Sequence, residues 1–463
     1  MMKQFWLYAA ACWATAVLNA QEAITHDVLR KLQAEETASV ADKALRNAMA
    51  RTAISVLASD VSSLQMGDTH FTYEVPVRSI TDQQSSGRCW LFTGMNVLRH
   101  KAVQRHNLKD LELSQVYLFF WDQLEKSNLF LQSVIDTRKQ SMDDRLVDWL
   151  FQNPLSDGGT FCGVYDLARK YGVVPREVMP ETYSANHTAQ ISMLLKWKLR
   201  EMALCYRKMH EEGKSLKEIE ARKIEDLKTV YHILTLAYGI PPASFSWTQR
   251  DTRDQLVSIR EYTPQEFYQT FMDADAEYVM VMNDPLREYY KVYEIEYDRH
   301  TYDGRNWVYL NLPADEIKPL GIASLRDTTA MYFSCDVGKY FNRDNGTLDL
   351  RNFDYGSLLG TSFNMNKRER ILTHASASSH AMTLIGVDVD TLSGKVAKWE
   401  IENSWGKSSG WNGKLVMTDE WFDEYMFRLV INTKYVPQKY LDMYRQKPIR
   451  LPAWDPLFAS GDE

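Results

Sequence analysis

The sequence has little cysteine, and its cysteines form no recognised pair. Five occur in 463 residues, and no two of them stand in a CxxC spacing, so the pattern predicts neither a zinc site nor a dithiol redox centre. If Cys12 is lost with a leader peptide and Cys89 stays a free thiol, an odd number remains, which does not indicate a disulfide framework. We interpret Cys162, Cys205 and Cys335 as small buried hydrophobic residues.

A run of basic residues, an internal repeat and a low-complexity segment are also missing. Acidic residues outnumber basic ones by 61 to 54, for a formal net charge of −7, so no nucleic-acid partner is indicated. Aromatic residues are plentiful, with 13 Trp and 25 Tyr, which argues against a largely disordered chain. Composition and length together predict a globular protein of two or three lobes.

Long apolar runs are absent except near the N-terminus. Lys3 precedes a mostly apolar stretch at residues 5–17, and the small residue Ala20 follows, which is the order found in secretory signal peptides. The apolar run is too short to serve comfortably as a membrane anchor. We therefore expect residues 1–20 to be removed and the protein to be periplasmic or extracellular, with no stable membrane span. A buried N-terminal helix and a lipoprotein attached through Cys12 are the alternatives.

Hydrophobic patterning outlines the secondary structure. Apolar residues recur at helical spacing from residue 23 to about 60, from 89 to 101, and between 190 and 238. Residues 71–77 alternate as a strand does. Further strands are predicted at residues 278–282, 307–310, 331–334, 381–389, 396–402 and 414–418.

A cysteine, a histidine and an asparagine stand in settings that suit catalysis. Cys89 follows a polar, glycine-containing stretch and begins a predicted helix, whose positive end favours thiolate. His380 opens a strand-like run, and Asn403 follows another. A thiol is a weak nucleophile until an imidazole takes its proton, and a third polar group must orient that ring. The pattern indicates Cys89 as nucleophile, His380 as general base and then acid, and Asn403 as the orienting group.

Two neighbouring residues fit supporting roles in this hypothesis. The Gln83 side chain would place an amide N–H beside the Cys89 backbone N–H, which gives two donors for a tetrahedral oxyanion. Trp405 would exclude water from the hydrogen bond between the histidine and the asparagine.

Two other features keep alternatives open. Gly158 and Gly159 either form only a turn or line a cleft where a substrate backbone approaches closely. His374 shares a polar loop with His380 and is its only near competitor; we interpret it as a loop or surface residue. The remaining histidines have no comparable setting.

Taken together, these motifs resemble those of the bleomycin hydrolase/aminopeptidase C family, a branch of the papain-like cysteine peptidases. Stretches at residues 170–175, 263–268, 335–339 and 452–456 carry the same resemblance. It implies an α+β, papain-like core with a helical lobe, a β-rich lobe and a large insertion.

Two features distinguish this chain from a simple papain. Cys89 and His380 are 380 − 89 = 291 residues apart, whereas a simple papain pattern has about 130–150. Ser86 stands where papain-type chains have a cysteine, so that disulfide cannot form.

The resemblance implies a division of the chain into five parts. These are a signal peptide at 1–20, an N-terminal arm and helical catalytic lobe with Cys89 at 21–188, a helical and β-rich insertion at 189–320, a β-rich catalytic lobe with His380 and Asn403 at 321–450, and a C-terminal tail in the active-site cleft at 451–463.

The resemblance also implies roles and an activity. Cys89, His380, Asn403 and Gln83 fall on the catalytic positions, and Gly158, Gly159, Trp405 and Glu463 on the substrate site. A tail in the cleft leaves room only for the N-terminal end of a peptide, which implies an aminopeptidase, and a tail carboxylate such as that of Glu463 would attract the α-ammonium. The tail departs from the usual family sequence after Pro456, so its register differs.

The family further implies a homohexamer whose sites face an inner chamber, with peptide substrates and no metal or cofactor. Endopeptidase activity, a non-catalytic scaffold on the same fold, and acyl transfer through the same residues are the alternatives.

Overall fold

The computed structural model describes residues 23–35, 39–61, 68–455 and 457. Two compact units divide the chain: a small one formed by residues up to 59 together with 353–361, and a large one formed by the rest. The small unit contains helices α1 (His26–Glu35), α2 (Val40–Met49) and α3 (Ile54–Leu57), and also Tyr355–Leu359, which is α13 in chain order. The expected signal peptide and Cys12 lie outside the described residues.

The helices of the large unit are numbered in the same chain order. They are α4 (Cys89–Arg105), α5 (Gln115–Asp136), α6 (Arg145–Gln152), α7 (Phe161–Tyr171), α8 (Tyr183–Asn186), α9 (Thr188–Glu211), α10 (Leu216–Tyr238), α11 (Pro264–Phe271), α12 (Ala314–Arg326), α14 (Lys367–Leu372), α15 (Asp419–Tyr425) and α16 (Gln438–Tyr444).

Strands follow mostly after the long helices. They are β1 (Tyr73–Glu74), β2 (Phe245–Arg250), β3 (Leu256–Tyr262), β4 (Tyr278–Met282), β5 (Val292–Ile295), β6 (Val308–Asn311), β7 (Met331–Cys335), β8 (Phe341–Asn342), β9 (Thr347–Leu348), β10 (His380–Val389), β11 (Val396–Glu402), β12 (Lys414–Thr418), β13 (Met426–Asn432) and β14 (Ile449–Leu451). Helices together with one large mixed sheet make the fold α+β, as predicted.

Twelve of the described strands form that sheet. Its order is β14-β5-β6-β4-β13-β7-β10-β11-β12-β9-β8, with β1 paired to β10, while β2 and β3 form a separate hairpin. Strand β13, which is buried except at its last residue, pairs with β4 on one side and with β7 on the other. Strands from the expected insertion therefore share a sheet with those from the expected β-rich lobe, across residue 320.

Two hydrophobic clusters hold the large unit together. One combines the long helices with the hairpin and with side chains on one face of the sheet, including Trp90, Phe161 and Tyr332. The other lies among the central strands, α12 and α15, and includes Trp399 and Trp421. Helix α4 is buried on nearly all sides and packs against β10 and β7, so the first residue of the helix meets the first residues of β10.

No described helix has both the length and the apolar character that crossing a membrane requires.

Candidate active site

Cys89 is the first residue of α4, and its surroundings fix the start of that helix. Asp157 holds both flanks: one carboxylate oxygen accepts the Gly87 N–H at 2.9 Å, and its backbone carbonyl accepts the Trp90 indole N–H at 2.8 Å. The half-buried thiol is free, and the backbone N–H of Ala381 lies close enough to its sulfur to lower the pKa of the thiol. The nucleophile candidate therefore touches the residue that follows His380.

His380 and Asn403 meet because β10 and β11 are neighbours in the sheet. The two strands pair from Thr383 with Glu402 onward, so the beginning of β10 lies beside the end of β11. The His380 Nε2 atom lies 2.9 Å from the Asn403 Oδ1 atom, and both residues are buried. Since an amide oxygen only accepts, Nε2 carries the proton and Nδ1 is the nitrogen available as a base.

Trp405 covers this histidine. Its ring stacks on the His380 ring with centroids 4.7 Å apart and an interplanar angle of 27°. On the other side, the Arg343 guanidinium lies over the Trp405 ring at 5.3 Å. The indole restricts the imidazole to one orientation and limits access of water to its hydrogen bond.

Gln83 is held in one amide orientation. Its Nε2 donates to the Ser86 carbonyl at 2.7 Å, and its Oε1 accepts the Ser404 hydroxyl at 2.7 Å. A carbonyl only accepts, so the nitrogen and oxygen of the amide are distinguished. An amide nitrogen has two hydrogens, and within the described chain the second remains for a ligand oxygen. Ser404, which the sequence reasoning passed over, thus fixes the proposed oxyanion donor.

A buried ion cluster locks the nucleophile helix to the strand that leads to Asn403. The Glu402 carboxylate accepts from Arg99 Nη2 at 2.9 Å and lies 2.5 Å from His100 Nε2. Burial alone would raise the pKa of Glu402, but His100 and Arg99 on α4 hold it below its ordinary value. Breaking a buried pair of this kind is strongly destabilising, so α4 and β11 are held as one rigid frame.

Burial shifts Cys89 and His380 toward their neutral forms. It raises the pKa of the Cys89 thiol, against the lowering influence of nearby backbone N–H groups, and it lowers the pKa of His380 to about 4, against the bond to Asn403. Each group alone is therefore neutral near pH 7. A thiolate and an imidazolium at adjacent positions would stabilise one another, which is how such a thiol could ionise in spite of burial.

The two glycines differ in their surroundings: Gly159 is closely packed, and Gly158 has open space beside it. A Cβ atom on Gly159 would lie 2.3 Å from the His300 ring, whereas on Gly158 it would meet only the Ser156 hydroxyl, at 3.3 Å. Gly159 is thus required by the interior, and Gly158 is the one that leaves room for a ligand. The carbonyl of Gly158 accepts from Lys126 Nζ at 2.6 Å.

His300 is a residue near the site that sequence reasoning missed. It is buried on the inner side of the glycine pair, and its ring lies 4.6 Å from that of Trp90. Nothing in the sequence near residue 300 marks it, because its partners come from α5 and from the loop before α7. His374, the expected competitor, is exposed.

The beginning of the tail is anchored to the large unit. Strand β14 pairs with β5, Asp455 forms an ion pair with Arg287, and Trp454 packs under the Arg145 guanidinium at 4.5 Å. Leu457 is buried and its N–H donates to Asp455 at 3.1 Å. Glu463 lies outside the described residues.

Known proteins resemble this chain over most of its length. A model of the Peptidase C1-like family matches residues 23–458. Bleomycin hydrolase of Homo sapiens is 38% identical over 412 residues, covering 87% of this chain and 90% of that protein. Aminopeptidase C of Lactobacillus delbrueckii subsp. lactis is 37% identical over 398 residues, covering 85% and 88%. The crystal structure of pepw from Lactobacillus rhamnosis HN001 superposes with a TM-score of 0.90 at 36% identity, covering 94% and 99%.

Proposed function

The chain belongs to the Peptidase C1-like family and is a cysteine peptidase, and we propose that it acts as an aminopeptidase that releases N-terminal residues from peptides. In this proposal Cys89 attacks the scissile carbonyl, His380 removes the thiol proton and later protonates the leaving amine, and Asn403 orients the ring. The proposal is supported above all by one observation: His380 forms a 2.9 Å bond to Asn403, and the next residue, Ala381, places its backbone N–H close enough to Cys89 to lower the pKa of the thiol.

The oxyanion would lie between two donors in this mechanism. One is the Cys89 backbone N–H at the helix start, and the other is the second N–H of the Gln83 amide. Such a donor contributes about 10²–10³ to the rate of a comparable reaction. The Ser404 hydroxyl and Ser86 carbonyl keep the amide from rotating away.

Restriction to N-terminal residues would come from the tail. Leu457 is fixed in the core, and the following residues 458–463 span at most about 20 Å when extended. We propose that they lie in the cleft, where the carboxylate of Glu463 pairs with the α-ammonium of the substrate.

Paired substrates test this assignment. The full-length protein is expected to cleave an aminoacyl amide with a free amine and to leave its N-acetylated counterpart intact. A variant that ends at Leu457 is expected to cleave both. Equal cleavage of both by the full-length protein would identify an endopeptidase instead.

The catalytic assignment has its own test. Cys89→Ala should abolish hydrolysis while the protein keeps its oligomeric state, and Cys162→Ala, which removes another half-buried thiol, should retain it. Hydrolysis that survives Cys89→Ala would exclude this residue as the nucleophile. A wild-type protein with neither hydrolysis nor transfer to added amines would be a scaffold.

Export and assembly are further parts of the proposal. We propose that residues 1–20 are removed as a signal peptide and that the mature enzyme acts on peptides in the periplasm or outside the cell as a homohexamer. Mass spectrometry of the mature protein would give its first residue and would reveal a lipid on Cys12. Light scattering would give its mass. An uncleaved N-terminus in the producing cell, or a monomer, would overturn the corresponding part.

A further inference from the structure

A second buried histidine lies behind the stretch that contains Gly158 and Gly159. We call this stretch, residues 156–160, the rim of the cleft. His300 is 2% exposed. Its Nδ1 atom lies 2.5 Å from the Asp122 carboxylate on α5, and its Nε2 atom lies 3.3 Å from the backbone nitrogen of Thr160. The ring thus bridges a helix of the core and the stretch that contains the glycine pair.

The hydrogen bonds assign the tautomer of this ring. The Thr160 N–H can only donate, so Nε2 must accept and carries no proton. Nδ1 must therefore hold the proton and donate it to Asp122. A carboxylate partner of this kind fixes both the tautomer and the orientation of an imidazole.

The ring also sets where the rim can lie. A Cβ atom added at Gly159 or Gly163 would fall within 2.3–2.4 Å of the His300 ring, so both backbones rest directly on it. On its other side the ring packs against Trp90, the residue after Cys89. Rim and nucleophile helix therefore share one support.

Lys126 completes the arrangement one turn along α5. Its ammonium pairs with the Asp122 carboxylate at 2.9 Å and donates to the carbonyls of Ser156 at 3.1 Å and Gly158 at 2.6 Å. The Gln123 amide also donates to Asp122 and to the Ser156 carbonyl, each at 3.0 Å. The carboxylate thus holds three donors, and these bond in turn to both ends of the rim, residues 156–160.

We propose that His300 is a positioning residue of this peptidase, which holds the rim at residues 156–160 in register with Cys89 through its acceptor bond from the Thr160 N–H. This role rests on the proposed function. His300 does not touch the reacting atoms, so it should affect how a peptide is placed and not how the thiol reacts. Small displacements of a bound substrate reduce rates by up to about a hundredfold.

Two substitutions separate the two bonds of the ring. In His300→Asn the amide nitrogen takes the place of Nδ1 and keeps the bond to Asp122, but no atom reaches the Thr160 N–H. In His300→Gln the longer side chain brings an oxygen to the position of Nε2 and keeps the Thr160 bond. His106→Asn is the matched control, since that ring packs against Phe271, away from the rim.

Two properties are measured on each variant: kcat and KM for a free-amine aminoacyl amide and a tripeptide, and the rate of alkylation of Cys89 by iodoacetamide. Both are expressed per active thiol, and titration with a thiol-directed epoxide gives the concentration of that thiol. His300→Asn is expected to lower kcat/KM about tenfold to a hundredfold, mainly through KM, with alkylation unchanged. His300→Gln should lie closer to the wild type, and His106→Asn should match it.

The opposing outcomes are distinct. Unchanged kcat/KM in His300→Asn would overturn the positioning role, as would an equal loss of hydrolysis and alkylation, because that would place the effect on the thiol or on folding. Equal defects in His300→Asn and His300→Gln would also overturn it, since the Thr160 bond would then not be the important one. A wild-type protein that fails to hydrolyse peptides would instead overturn the proposed function.

Discussion

Two buried imidazoles flank the start of α4, and their partners differ. His380 bonds to the neutral amide of Asn403 and stacks on Trp405, whereas His300 bonds to the ionised Asp122, which also pairs with Lys126. An amide orients a ring and stabilises a positive charge on it less than a carboxylate does. A carboxylate fixes the ring and its proton together.

The difference explains how similar side chains acquire different tasks. In the proposed mechanism the ring of His380 accepts a proton and returns it, so a neutral partner that lets the charge of the ring change is suitable. The ring of His300 must stay in one tautomer to accept the Thr160 N–H, so a partner that fixes the proton is suitable. The chemistry of the partner, and not burial alone, separates a reacting group from a supporting one.

The largest effect is expected when the reacting ring is removed. The asparagine of His380→Asn cannot accept the thiol proton, so kcat/KM should fall by about 10⁴–10⁶, as when the base or its orienting residue is removed from such a triad. Hydrolysis of a free-amine aminoacyl amide measures it. His374→Asn, in the exposed loop before the strand, should retain wild-type activity; a comparable loss there would reassign the base.

Removing the carboxylate from the supporting side should mainly cost stability. Asp122→Asn leaves the mostly buried Lys126 without its fully buried counter-charge, and losses of this kind amount to about 3–5 kcal/mol. Urea unfolding monitored by tryptophan fluorescence measures the loss of stability, and Asp136→Asn on the exposed end of α5 is the control.

The same carboxylate makes stability depend on pH. Burial raises the pKa of Asp122, yet Lys126 and His300 hold it below its ordinary value. The stabilisation is therefore present above about pH 4 and is lost on further acidification. Equal stability of wild type and Asp122→Asn at pH 7 would contradict this.

The smallest effect is a displacement of the acid limb of activity. Because the pKa of His380 is lowered to about 4, the ring stays neutral and able to accept a proton down to that pH, and kcat/KM should decline only below it. Asn403→Asp gives His380 a carboxylate partner like that of His300, which stabilises the imidazolium and should move the limb toward neutral pH. A pH series for both proteins measures it. A limb that does not move would show that His380 is not the group that titrates there.

Several elements were predictable from local pattern alone. The expected strands 278–282, 396–402 and 414–418 coincide with β4, β11 and β12, and the helix expected from Cys89 is α4. Residues 71–77 were predicted as one strand, but the strand is only Tyr73–Glu74, followed by one more bond from the Val75 N–H to the Ile385 carbonyl at 2.8 Å. Pro76 has no N–H to donate, so the ladder cannot continue.

The candidate catalytic residues could be predicted from the sequence, but the residues that hold the surrounding structure could not. A cysteine, a histidine and an asparagine have characteristic chemistry, so the motifs around Cys89, His380 and Asn403 were enough to identify them as candidates. No such signal marks Asp122, Lys126 or His300. A buried ion network depends on contacts between distant parts of the chain, and Asp122 and His300 are 178 residues apart.

The amino-acid sequence by itself determined the chemical groups, the periodic elements that carry them and the family to which the chain belongs. Tertiary structure alone decided that β10 and β11 would be neighbours, that Glu402 would tie β11 to α4, and that a carboxylate would meet one imidazole and an amide the other. Local composition specifies what a side chain can do. Its charge state and its task depend on the partners that folding brings within hydrogen-bond distance.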